Sequence, residues 1–371
     1  MKKIEIGALI IMFASIFFFR LFWTTFKERV EIGSYVEIIG RVDASKGRVD
    51  TINGKYPTKN IYFLVDRVPD GEKIVYGRVK KIEQSKWGTQ YSLEVERYKE
   101  KKGILKEFYI DRIKKITEDY SIDLEHFLRA TILGEGYLLM DSIKEMFRYT
   151  GTAHILVISG LHIGVIILGM DSLFLKLNLK KQIRYILILC ILTVYVCAIG
   201  KSPSVFRAYI MAVIYLLGNI LYEKVNSGKS LILAFGISLL VYPAWIYSIS
   251  FWMSYVAVFS IIFIYKKIPK LKNRSVFIEK VLNAVVMTFV IQIFMTPIFY
   301  MFFKTVPIFS IFSNILIIPI ASIFIVTSFL TLFLSNFYLG FLTAPLVYYS
   351  YIILIRSVDI ISKIPYLTLE L

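Results

Sequence analysis

Cysteine is nearly absent from this chain of 371 residues: only Cys190 and Cys197 occur, seven positions apart in one apolar run. On a helix that spacing puts them about 10 Å apart along the axis. They cannot bridge within the helix, so no disulfide framework is expected and cysteine usage is silent on redox compartment. Histidine is as scarce, at three. With no cysteine nearby and no carboxylate in the same run, His154 and His162 make a poor metal set, and the sequence implies no cofactor. No Gly-x-x-x-x-Gly-Lys-Ser/Thr loop occurs, so any nucleotide hydrolysis must come from a partner. Acids thin out towards the C-terminus: residues 150–371 hold five Asp+Glu against 17 Lys+Arg. Asp171, Glu223, Glu279 and Asp359 all fall at the ends of apolar runs or in loops, which speaks against proton coupling through intramembrane carboxylates.

What the chain has in excess is apolar surface. Hydrophobic residues make up 57% and aromatic ones 16%, with a mean hydropathy of +0.64. That composition belongs to a polytopic α-helical membrane protein. Runs long enough for a crossing lie near 4–23, 150–170, 185–200, 206–222, 230–247, 251–265, 281–303, 307–335 and 340–361, which predicts about nine spans. The run at 307–335 is too long for one straight helix and reads as a broken or re-entrant pair. Residues 1–23 follow Met1-Lys2-Lys3, stay apolar through Trp23 and offer no small-residue cleavage site, so they read as a retained anchor.

The net charge of +17 is unevenly placed. Residues 24–149 are nearly balanced, at 24 basic against 21 acidic, whereas the apolar half carries clusters at Lys176 to Arg184, Lys224 to Lys229 and Lys266 to Lys280. These fit cytoplasmic loops under the positive-inside rule. With the N-terminus inside, the first span exports residues 24–149, and every basic loop falls on the cytoplasmic side.

The exported part alternates with period two in "SYVEIIGRVD", "NIYFLVDRV", "KIVYGRVKKI" and "QYSLEVERY", separated by turn material such as "DASKG" and "VPDGE". Residues 24–120 therefore read as a small exterior β domain, for which a five-stranded oligonucleotide-binding (OB) barrel is the natural architecture. Tyr62, Trp87 and Tyr91 are candidate base-stacking contacts to DNA, although such residues are more often simply barrel core. Residues 121–149 repeat apolar positions at helical spacing with charges opposite and read as amphipathic helices on the bilayer surface.

Within the membrane half, 150–371, polar residues interrupt otherwise apolar runs. "TGTAHILVISGLHIGVIILG" sets His154, Ser159 and His162 beside Gly160. "SPSVFRA" places Arg207 one turn into a span, "FWMSYVAVFS" holds Ser254, and "PIFSIFSNILIIP" holds Asn314 and Pro319. Polar groups at this depth normally face a bundle interior or a hydrated path; the competing reading is small-residue helix packing at Gly160 and a snorkelling Arg207.

The order of these elements, "LGEGYLL", "FRYTGTAHILVISGLHIGVI", "SPSVFRA", "FWMSYVAVFSI" and "PIFYMFFKTVPIFSIFSNILIIP", resembles the competence region of the ComEC family of DNA-uptake proteins. The resemblance implies passage of single-stranded DNA from outside to cytoplasm in natural transformation. It carries a path role to His154, Ser159, Gly160, His162, Arg207, Ser254, Asn314 and Pro319, and no catalytic role to any residue. It implies as partners a DNA-receptor protein at the cell surface and a cytoplasmic helicase-like ATPase, and it leaves a homo-oligomer open. Many family members carry a further metallo-β-lactamase-like domain, yet no His-x-His-x-Asp-His signature occurs here. This chain alone is therefore not expected to hydrolyse DNA: a separate nuclease supplies that step, the organism does without it, or the chain is an incomplete version. Two other classes stand beside this reading. One is a secondary transporter of a small organic anion bound at Arg207. The other is an intramembrane hydrolase with Ser159 as nucleophile and a histidine as base.

Overall fold

The computed structural model describes all residues except 1, 27–29, 44, 58–60, 67, 70, 86–87, 101–103, 200–201, 272–274, 304, 307–309, 365–368 and 371. Trp87 thus lies outside the described residues. The chain divides into two compact units, one of residues 1–103 with 235–251, the other of 104–234 with 252–371.

The first unit opens with helix α1 (Lys2–Thr24) and continues into five strands, β1 (Tyr35–Asp43), β2 (Lys46–Ile52), β3 (Ile61–Val65), β4 (Gly71–Ser85) and β5 (Gly88–Glu100). They close into a barrel in the order β1-β2-β3-β5-β4. The pairs are antiparallel except β3 and β5, which run parallel with Ile61 opposite Thr89. Alternation builds the interior: Ile61, Phe63 and Val65 of β3 meet Val36, Ile38, Val75, Val79 and Leu93 from the other strands, as period-two side chains of a small closed barrel must. Gly77 lies at a register shift between β4 and β5. A Cβ there would collide with the Glu94 carbonyl oxygen, so this bend of the barrel needs a residue with no side chain.

Four of the strands follow the alternating runs seen in the sequence. β2 does not, because its first residues, Lys46 and Gly47, belong to what the sequence presents as a turn. The strands end at Glu100 and residues 104–117 are helical, where the sequence reading carried the β domain to residue 120.

The second unit is helical: α2 (Ile104–Thr117), α3 (Ile122–Leu133), α4 (Asp141–Tyr149), α5 (Gly160–Lys176), α6 (Lys181–Ile199), α7 (Pro203–Ile220), the start of α8 (Ser227–Val241), most of α9 (Ile249–Phe259), α10 (Val276–Phe303), α11 (Ser310–Ser335) and α12 (Ala344–Ser362). Its core runs from Ile110 and Phe127 through Phe147, Leu192 and Val205 to Phe324 and Leu354. α4 keeps the expected amphipathic spacing, burying Ile143 and Phe147. α3 does not: from Phe127 to Leu133 every residue is buried, so it is a core helix rather than one lying on a bilayer surface. The side chains that bury its polar turns are ionic. Glu135, only 1% exposed, pairs with Arg129 at 2.8 Å and Lys106 at 3.0 Å, and Arg129 also reaches Glu125 at 3.1 Å.

Six helices among the described residues are long and apolar enough to cross a membrane: 181–199, 203–220, 249–267, 278–302, 311–335 and 344–362. The sequence reading counts three more, the runs at 4–23, 150–170 and 230–247, whose apolar helices among the described residues fall short of that length. The run at 150–170 is helical only from Gly160, since Gly151 takes φ 72° and Ala153–Ile155 forms a 3₁₀ turn. The run at 230–247 stops at Val241, because Tyr242 precedes Pro243 and is held out of helical geometry at ψ 75°. Conversely, 310–335 is one continuous helix of 26 residues with Pro319 inside it, not a broken pair. Irregularity is found instead in α9, which passes into a π-helical turn at Ser260–Ile264.

Candidate functional site

Five of the eight path residues form one chain of contacts. α5 starts at Gly160 because Ser159 caps it. The Ser159 Oγ accepts the Leu161 N–H at 3.2 Å, and the Ser159 N–H donates to His162 Nδ1 at 3.1 Å. This is a reciprocal capping box with histidine in the place usually held by Glu or Gln. Because Nδ1 accepts, the neutral ring carries its proton on Nε2. His162 is 0% exposed, Nε2 has no hydrogen-bond partner, and the ring stands edge-on to Phe329 at 6.3 Å.

Next to this cap lies α7. Pro203 at its first turn fits the fixed φ of that position. Ser204 Oγ donates to the Ile158 carbonyl at 2.7 Å and fastens α7 to the segment preceding α5. One turn on, Arg207 is 7% exposed and donates from Nη1 to the Ser254 carbonyl of α9. Gly160 makes room for it: a Cβ at position 160 would stand 3.2 Å from Arg207 Nη2. Beyond that carbonyl bond, Arg207 Nε is buried without a partner, as is Ser254 Oγ.

No carboxylate enters this chain of contacts. Asp171 of α5 pairs with Arg184 at 3.0 Å near the far end of the helix, and Asp359 with Lys363 at 2.7 Å. The remaining three path residues are placed separately. His154 sits exposed on the 3₁₀ turn, Asn314 lies in the first turns of α11 with a buried, unpartnered Oδ1, and Pro319 lies within α11. None of the three is hydrogen-bonded to the Ser159-to-Ser254 group among the described residues. His154 and His162, which the sequence places on one helix, are in fact on a turn and a helix respectively. No group of three or more potential metal ligands occurs among the described residues.

On the barrel, Tyr62 faces outward with Lys46 Nζ 5.8 Å from its ring centre. Tyr91 is 7% exposed and belongs to the interior, where burial pushes its phenol up from the usual value of 10.0. A side chain packed there cannot stack on a base, so of the two described aromatic candidates only Tyr62 presents a ring outward. Sequence reading missed the Glu135 network and the anchoring bond of Ser204. A signal for the first was present in the "LGEGYLL" acid beside an apolar helix; the Ser204 bond to Ile158 joins segments 46 residues apart and has no local signal.

Apolar helices of spanning length, an N-terminal β-barrel and a buried arginine packed against the first glycine of a helix define a polytopic membrane protein with a polar interior patch. Residues 131–371 match the family described as Competence protein, and the chain belongs to it, as its resemblance to ComEC proteins implies. It is similar to ComE operon protein 3 of Bacillus subtilis (strain 168), 26% identical over 197 residues that make up 53% of this chain and 25% of that protein. Recombination protein 2 of Haemophilus influenzae is 27% identical over 230 residues, 58% of this chain and 29% of that protein. An uncharacterized protein of Aquifex aeolicus is 28% identical over 212 residues, covering 54% and 47%. The matched part thus spans from a quarter to just under half of the curated relatives' own lengths. No solved structure matches the chain significantly.

Proposed function

We propose that this protein is the inner-membrane route by which a single DNA strand enters the cytoplasm during natural transformation. The observation that carries the reading is the buried polar group around Arg207, free of carboxylates, inside the region that matches the Competence protein family. A polyanion needs a positive or polar passage with no fixed negative charge along it. Arg207 lies one turn into α7 and is 7% exposed with no carboxylate partner among the described residues, and an ionisable residue buried inside a helical membrane bundle is a functional-site hypothesis by default. His154, Ser159, Gly160, His162, Arg207, Ser254, Asn314 and Pro319 line or shape the path in this reading.

The barrel is read as an OB-type receiving domain on the outside. Its support is the strand order with one parallel pair, β3 with β5, and Tyr62 as an outward aromatic ring. The basic loops orient the N-terminus and the loop after α9 towards the cytoplasm. In this reading a surface DNA receptor and a helicase-like ATPase complete the system, and strand degradation, where the organism uses it, comes from a nuclease outside the residues described above. Ser159 and His162 support this assignment: Ser159 Oγ and His162 Nδ1 are engaged in the α5 cap, and among the described residues His162 Nε2 has no partner, so the pair lacks the third group that orients a nucleophile–base arrangement. Arg207 also suits a small organic anion, which is the second reading.

The test is uptake of labelled DNA into a nuclease-resistant cytoplasmic pool in cells with the gene, a deletion, Arg207→Ala and His162→Ala. Loss of internal DNA with surface binding retained supports the route. Unchanged uptake in the deletion removes it and brings the small-anion transporter forward.

A further inference from the structure

Two positive groups adjoin residue 160 at the start of α5. α5 is 17 residues long, and its first turn points backbone amides out of the helix with the equivalent of about half a positive charge. The cap consumes two of them: Ser159 Oγ takes the Leu161 N–H, and the Ser159 carbonyl takes the His162 N–H at 3.2 Å. The Gly160 N–H, at the first helical position, has no acceptor within its own helix. Against this same glycine lies Arg207, only 7% exposed, with Nη2 3.2 Å from the place a Cβ of residue 160 would occupy.

Arg207 is not otherwise neutralised. Its one hydrogen bond goes to the uncharged carbonyl of Ser254, its Nε has no partner, and it makes no ion pair with a carboxylate among the described residues. A buried cation beside a helix N-terminus raises the local potential from both sides, and only an anion lowers it. Ser159 and Gly160 are partly exposed, so the amide end of α5 is open to a ligand. The absence of a side chain at 160 therefore does two things: it lets the guanidinium approach, and it leaves the amide uncovered.

We infer that the Gly160 amide and the Arg207 guanidinium form a subsite for one phosphodiester oxyanion. With Nη1 bonded to the Ser254 carbonyl and Nε buried, Nη2 is the guanidinium nitrogen beside Gly160, and it and the Gly160 amide would each take one phosphate oxygen. The geometry alone argues for an oxyanion; the choice of a phosphodiester rests on the DNA-uptake reading. A nucleic-acid backbone and a phospholipid headgroup share that chemistry, and the subsite is assigned to the backbone.

The experiment uses the full chain in a phosphate-free maltoside detergent and follows its thermal unfolding midpoint against dimethyl phosphate, a pentathymidylate and dihexanoyl phosphatidylglycerol. Dimethyl phosphate is expected to raise the midpoint saturably. Arg207→Gln should abolish the shift, and Arg207→Lys should raise the half-saturating concentration at least tenfold. Gly160→Ala, whose new Cβ crowds Nη2, should raise it severalfold, and Lys363→Gln should leave it unchanged. Helical circular dichroism shows which variants are folded; if Arg207→Gln is not, Arg207→Lys and Gly160→Ala carry the result. No saturable shift in the native protein, or equal shifts in folded Arg207 variants, overturns the subsite. Tighter binding of the pentathymidylate supports the backbone assignment, and tighter binding of the phosphatidylglycerol overturns it in favour of a lipid. A subsite that Arg207→Gln destroys while cellular uptake persists stands as an anion site and removes the DNA route. A missing subsite in a protein whose deletion stops uptake has the opposite meaning.

Discussion

Single side chains here are asked to do different work, and their removal separates the kinds. Ser159→Ala deletes a cap acceptor while leaving His162 in place. It is expected to lower stability by about 1 kcal/mol, seen as a lower midpoint in a detergent unfolding series, with uptake of labelled DNA near normal at permissive temperature. A hydrolase nucleophile at Ser159 predicts instead complete loss of function with unchanged stability. Glu135→Gln strands Arg129 and Lys106 without their shared carboxylate. Breaking a buried pair from one side costs on the order of 3–5 kcal/mol, so this variant should fail to accumulate in the membrane. Arg129→Gln together with Glu135→Gln should recover part of the loss. If both variants accumulate normally, the network is not what fixes α2 and α3 around the "LGEGYLL" turn.

Among the elements, the barrel is the part whose stability is most exposed to one residue. Phe63, fully buried between strands, is expected to cost about 3–5 kcal/mol as Phe63→Ala, read out as faster hydrogen exchange of β1 to β5 in the intact protein with exchange in α11 unchanged. Its strands were legible because alternation survives in β3, β4 and β5; β2 was not, because Lys46 and Asp50 face outward and its hairpin partner is offset by a register shift after Ile39. The helices were legible as apolar runs but not in their limits. Hydropathy does not register that Gly151 turns the chain, that Tyr242 is constrained by Pro243, or that Pro319 is absorbed within α11. The site was half legible: scarcity of polar residues in the runs picked out Ser159, His162, Arg207 and Ser254. That Gly160 adjoins Arg207, and that His162 turns its Nδ1 back to the cap, depend on tertiary packing that a one-dimensional pattern does not contain.

For the whole molecule the central expectation is sidedness. With the barrel outside and the loop after α9 inside, a Glu94→Cys variant should react with an impermeant maleimide on intact spheroplasts. A Lys266→Cys variant should react only after permeabilisation, with Cys190 and Cys197 replaced by serine in both. The reverse pattern sinks the proposed orientation and with it the receiving role of the barrel. Binding of DNA to the exterior face should also weaken steeply between low and physiological salt, because contacts to phosphates release counterions; an affinity indifferent to salt is incompatible with phosphate contacts by basic side chains such as Lys46 beside Tyr62.

The π-helical turn of α9 has a consequence for how this chain tolerates change in length. A π turn holds one more residue than the α turn it replaces, so Ser260–Ile264 contains a supernumerary position. Deleting Ile262 should let the turn relax to α geometry while Ser254 on one side and Lys266 on the other keep their facings. Deleting Val256, within the regular part, turns everything beyond it by about 100° and uncouples the Ser254 carbonyl from the rest of the helix. Membrane accumulation and DNA uptake of the two deletion strains measure this directly, with the first expected to survive and the second to fail. Equal failure of both means that the bulge itself, and not merely the faces it separates, is required. α9 would then be a helix whose length is fixed by its flaw.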